Sequence, residues 1–119
     1  MCDVLVVEDE DTVRMVLVDM LEDVGLQVRE AATPVEAMAV AQEAPRCFLL
    51  VTDVDLGAPE LNGFSLAETL RQRFPNMPAL FVSGRPWLFK KRPLASREGV
   101  LAKPFRRTEL VASVRALLR

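Results

Sequence analysis

The chain has 119 residues, half of them apolar, which suits one compact domain with a real core over residues 1–119. No apolar run approaches the roughly 20 residues needed to span a bilayer. Net charge is only −2, and the absence of histidine excludes an imidazole base, a histidine metal site and a phosphohistidine carrier within the chain.

The charge is uneven along the sequence. Residues 1–60 hold 14 acids and 3 bases, whereas residues 85–119 hold 2 acids and 10 bases. Such a division suggests charged surfaces with different tasks. The start, "MCDVLVVEDED", has an early acid and no basic region, so a signal peptide is not expected and a cytoplasmic setting is. Cys2 and Cys47 have no metal-ligand spacing and, in a cytosolic chain, read as buried small apolar residues.

In chain order, "DVLVV" (3–7) predicts a buried strand. Val13, Val16, Leu17, Met20, Leu21 and Val24 then recur at helical spacing, with Gly25 as the stop. "QVREA" (27–31) predicts a short, more polar edge strand. Thr33 and Pro34 form an N-cap and first-turn proline for an alanine-rich helix to about Ala44. "RCFLLVT" (46–52) predicts a second buried strand. Asn62 is suited to cap a helix running to about Phe74. "PALFVS" (78–83) and "VLA" (100–102) predict two more strands. Thr108 is expected to cap a last helix carrying Leu110, Val111, Val114, Leu117 and Leu118 on one face. Between the last two strands, Pro86 and Pro93 shorten or remove the expected helix.

Strands and helices therefore alternate, and the central strands are apolar on both sides. This predicts an α/β fold: a (βα)5 doubly wound, five-stranded parallel sheet, flavodoxin-like, in the order 2-1-3-4-5, with a shortened or irregular fourth helix. In that order the topological switch lies between the first and third strands, and ligands bind at their carboxyl ends.

Four strands end in polar groups that the fold brings to this edge. They are Glu8 and Asp9, then Asp53, then Ser83, then Lys103. A lone acid after a strand is usually a helix cap or a solvated loop residue, which suits Glu10 and Asp11. Three converging carboxylates repel unless a cation joins them, and hard oxygen ligands suit Mg²⁺. Aspartate carboxylates are ionised at pH 7 and attack without a general base. The natural electrophile is phosphorus, with Lys103 pairing with the phosphoryl group and Ser83 donating to it. The expected product is an aspartyl phosphate.

These residues resemble the receiver domain of two-component response regulators. The matching pieces are "VLVVEDE" (4–10), "VTDVDL" (51–56), "NGFSLAETLR" (62–71), "LFVSG" (80–84) and "LAKPF" (101–105), and together they span nearly the whole chain. The resemblance implies that Asp53 is the phosphoacceptor and that Glu8, Asp9, Asp53 and the backbone carbonyl of Asp55 hold Mg²⁺. It implies that Ser83 is the hydroxyl that turns toward the phosphoryl group. Lys103 matches the receiver lysine, whose bond to the following proline, here Pro104, is often cis. The implied donor is a phosphohistidine on a histidine kinase or phosphotransfer domain. Whether the receiver stands alone or belongs to a hybrid kinase or longer regulator stays open.

Three features depart from the family pattern. Val100 occupies the position of the usual aromatic switch, and valine cannot report by ring burial. The loop 54–63 is about two residues longer than in short receivers. The segment 85–98 is broken by prolines and carries Trp87, Phe89 and basic residues. Those aromatics are expected to patch the core, with a partner surface over 84–107 as the other reading. Neither nucleic acid nor membrane is an expected partner: solvated helix faces explain Arg106, Arg107, Arg115 and Arg119.

Competing functions are a receiver-like binding module that is never phosphorylated, and a phosphatase of haloacid-dehalogenase type using Asp55 as its acid. Flavin binding is disfavoured by the acidic first loop. Finally, Asp55 and Arg85 are expected to pair across the mouth of the site and slow the entry of water.

Overall fold

The computed structural model describes residues 2–44, 46–56, 62–85, 87 and 94–118. Five strands, β1 (Cys2–Val7), β2 (Val28–Ala31), β3 (Cys47–Asp53), β4 (Ala79–Ser83) and β5 (Glu98–Ala102), form one sheet. The helices are α1 (Asp11–Glu22), α2 (Pro34–Glu43), α3 (Gly63–Arg73) and α4 (Arg107–Leu118). Every strand pair is parallel, in the order β2-β1-β3-β4-β5. This is the doubly wound order expected from the alternating pattern.

Alternation along each strand divides the core into two layers. Leu5, Val7, Leu50 and Phe81 face one side, where Ala37 and Ala41 of α2 and Leu66 and Leu70 of α3 cover them. Val4, Val6, Leu49, Val51, Leu80 and Val82 face the other, under Leu17 and Leu21 of α1 and Leu110 and Val114 of α4. Val18 is also buried, whereas Val16 on the expected apolar face of α1 is exposed. The helix is rotated slightly from the stripe its spacing suggested.

Local signals account for most helix ends. Gly25 has φ +89° just after α1, a conformation that favours glycine. Thr33 Oγ1 accepts a hydrogen bond from Glu36 N at 3.1 Å, and Asn62 Oδ1 accepts one from Ser65 N at 3.0 Å, as N-caps do. The expected cap at Thr108 is corrected: α4 already begins at Arg107. Glu109 instead receives the Arg106 N–H at 2.8 Å and meets an otherwise free donor of the first turn.

Two further expectations are corrected. Cys2 and Cys47 are buried as expected, but their sulfurs form a disulfide. The parallel register sets Cys2 opposite Cys47 with Cα atoms 4.7 Å apart, within bridging reach. Trp87 does not patch the core; it is 59% exposed. Phe89, most of the segment expected to hold the irregular fourth helix, and residues 57–61 of the long loop lie outside the described residues. β5 starts at Glu98, two residues earlier than its apolar run, because its backbone pairs with β4 from Ala79 onward.

Gly63, at the start of α3, touches the end of β3. Its N–H donates to Val54 O at 2.8 Å. A Cβ at this position would collide with the Asp53 carbonyl oxygen and lie 3.1 Å from Val54 Cα. Gly63→Ala is therefore expected to lower unfolding stability by about 1–3 kcal/mol, read from urea denaturation midpoints. An unchanged midpoint would contradict this close approach.

Candidate functional site

The carboxyl ends of β1 and β3 lie side by side, with Val7 opposite Thr52. The next residue of each strand is acidic. Glu8 and Asp53 are buried, and Asp9 beside them is exposed. One carboxylate oxygen from each of Glu8, Asp9 and Asp53 lies within 4.8 Å of the others. The sequence expectation that these three converge is met.

Lys103 reaches this cluster from the end of β5. Its Nζ donates to Glu8 Oε1 at 2.7 Å and to Asp53 Oδ2 at 2.9 Å. Its own N–H donates to Ser83 O at 2.9 Å, which ties the ends of β4 and β5 together. The following Lys103–Pro104 peptide bond is cis. Ser83 is fully buried, and its Oγ accepts the Arg85 N–H at 2.9 Å.

Asp53 is held from several sides. Its Oδ1 accepts the Asp55 N–H at 3.1 Å, and its carbonyl accepts the Thr52 hydroxyl at 2.8 Å. The Asp55 carboxylate turns outward to Arg85, whose Nε lies 3.1 Å from Oδ2 and whose Nη2 also contacts Oδ1. The expected Asp55–Arg85 pair is present, and each side chain is half exposed.

Burial dominates the electrostatics. It raises the Glu8 carboxyl to about 7, opposed by the hydrogen bonds from Lys103 and Glu10 N and reinforced by Asp9 and Asp53. For Lys103, burial acts to lower the pKa, but its hydrogen bonds to Glu8 and Asp53 prevail and the net shift is upward. All three clustered carboxylates offer hard oxygen donors, and Glu8 and Asp53 already share a single cation. The set fits a small divalent ion such as Mg²⁺.

Some contributors were not identified from the sequence. Thr52 and Gly63 act on the Asp53 backbone. Arg14 Nη1 donates to Glu8 O at 2.8 Å while its other nitrogens pair with Asp11 and Glu30. The Gly63 signal was present, since a glycine directly after a cap residue marks a close approach. Nothing in the sequence marks Arg14, because its contact depends on how α1 docks.

Fold and site define a small α/β domain with three clustered carboxylates, able to hold a metal ion, beside a fixed ammonium group. The family model described as the response regulator receiver domain matches residues 4–115, and the chain belongs to that family, the receivers of two-component systems. The sensor kinase CckA of Brucella abortus (strain 2308) is 37% identical over 118 residues, 97% of this chain and 12% of that protein. A putative NtrX-like response regulator of Rickettsia bellii is 32% identical over 82 residues, 69% of this chain and 17% of the relative. The chain thus spans a small part of these relatives' length. Among solved structures, the receiver domain of the hybrid histidine kinase CckA has a TM-score of 0.82 at 32% identity, covering 98% of this chain and 99% of that one. The receiver domain of NtrX from Brucella abortus also gives 0.82, at 26% identity and 98% of both chains. Among the described residues, no helix is long and apolar enough to cross a membrane.

The raised Glu8 pKa predicts a pH dependence in Mg²⁺-free buffer. Between the unfolded value of 4.5 and the folded value of about 7, the folded state binds the extra proton. Stability therefore falls as pH rises through that window. Denaturation midpoints measured across it are expected to decline, and Glu8→Gln to flatten the decline. A flat profile in the parent protein would refute the shift.

Proposed function

We propose that this receiver takes a phosphoryl group onto Asp53 from a phosphohistidine of a histidine kinase or phosphotransfer domain. The observation that carries this is the Lys103 ammonium bound to both Glu8 and Asp53 at the switch point, next to Asp9. Asp53 Oδ attacks phosphorus, the P–N bond breaks, and its electron pair stays on the donor imidazole nitrogen. Glu8, Asp9 and Asp53, with the Asp55 backbone carbonyl, would hold Mg²⁺, which neutralises charge on the phosphoryl oxygens. Lys103 moves from a carboxylate bridge to pairing with the phosphoryl group, and the Ser83 hydroxyl turns to donate to it.

The chain acts in this reading as a signalling domain that assists its own phosphorylation and dephosphorylation. Residues 1–119 form one receiver domain in a cytoplasmic setting. The phosphatase alternative needs Asp55 as a free general acid, and Arg85 occupies that carboxylate. The output surface is residues 84–107, where Trp87, Leu94 and Val100 are exposed as anchors for a protein partner. Val100 at the edge strand leaves no aromatic ring to swing inward, so Ser83 and the strand ends it joins transmit the change. A binding module that is never phosphorylated would leave the acidic set without a use.

Two measurements test this. Intact mass after incubation with Mg²⁺ and acetyl phosphate is expected to rise by one phosphoryl group, and the gain is expected to vanish in Asp53→Ala. A gain that survives the substitution, or none with an active donor, overturns the assignment. Arg85→Ala is expected to shorten the phosphoryl half-life severalfold by opening the Asp55–Arg85 pair to water. An unchanged half-life rules out that role.

A further inference from the structure

The opposite edge of the sheet carries a second concentration of charge. At the amino ends of β3 and β4, a cavity of about 470 Å³ is lined by Arg46, Arg73 and Arg97, with Phe48, Phe74 and Asn76. Among the described residues no acidic side chain lines it and none of the three arginines is in an ion pair. It lies one β3 length, about 20 Å, from the acidic cluster.

Two of the arginines are held in place by side-chain contacts. The Arg46 guanidinium sits 4.6 Å over the Phe48 ring and that of Arg73 sits 5.4 Å over Phe74. Arg73 Nε and Nη2 donate to Ala41 O and Ala44 O at 2.9 and 3.1 Å, closing the carboxyl end of α2. Arg97 occupies a turn closed by Glu98 N to Ala95 O at 3.2 Å, with φ +64°. That conformation favours glycine, so the backbone at this position alone gives no reason for an arginine. Glu98 next to it is engaged elsewhere, with Arg71.

We infer that this cavity binds a compact polyvalent phosphate, its oxygens taken by the guanidinium forks of Arg46 and Arg97 and by the N–H groups of Arg73 that do not close α2. Three like charges around one volume repel one another and attract a multivalent anion. Guanidinium forks match phosphate oxygens two at a time. A diphosphate concentrates its charges within a few ångströms. An extended acidic peptide spaces same-face carboxylates about 7 Å apart and fits the single cavity less well.

The test titrates the full chain with pyrophosphate in Mg²⁺-free buffer at fixed ionic strength, followed by backbone amide NMR shifts. Saturable, one-to-one shifts are expected at Asn76, Met77 and Arg97. Arg97→Gly is expected to weaken binding at least tenfold while leaving the thermal midpoint unchanged or higher, because it relieves the turn. Arg46→Gln is expected to weaken binding as well, and both variants are expected to take a phosphoryl group from acetyl phosphate as the parent does. Shifts that do not saturate, that centre on Ser83 and Lys103, or that survive both substitutions overturn the proposal. So does binding of an oligoglutamate peptide where pyrophosphate fails to bind.

Discussion

Everything at the acidic edge depends on one ammonium group. The strand order makes β1 and β3 neighbours, and their register brings Glu8 and Asp53 together. Two unit charges within the 4.8 Å spread of this cluster repel by about 3 kcal/mol or more at an effective dielectric constant near 20. Burial adds to the cost. Lys103 meets both carboxylates at once, and burial still raises the Glu8 carboxyl to about 7. With Asp9 exposed beside the two buried groups, the three carboxylates could hold a metal ion.

The same lysine couples the site to the rest of the sheet. Its backbone bonds to Ser83 O, so the ends of β4 and β5 are tied together. Ser83 in turn holds the Arg85 N–H, and Arg85 holds Asp55. Hydrogen bonds thus run from Lys103 through Ser83, Arg85 and Asp55 and join the loops after β3 and β4.

Much of this was legible in the sequence because fully buried parallel strands are continuous apolar runs. β1, β3 and β4 are such runs, and the residues just beyond them had to share one edge. The site residues followed from that placement. The sequence marks only the apolar end of β5, because Glu98 and Gly99 look like loop residues; pairing with β4 overrides their low strand propensity. The disulfide is not legible in the sequence, because cysteine spacing carries no register and it is the β1–β3 pairing that sets Cys2 opposite Cys47. Large aromatics usually bury, but Trp87, at 59% exposed, lies at the surface.

The two aspartates of "TDVD" end up with unequal tasks. Asp53 is buried at the end of β3, and both of its carboxylate oxygens are engaged inside the site. Asp55 gives its N–H to Asp53 and its carboxylate to Arg85 at the rim. Half-exposed ion pairs add little to stability, so stability does not account for the Asp55–Arg85 pair. The pair joins the loops after β3 and β4 at the rim, outside the buried carboxylates of Glu8 and Asp53.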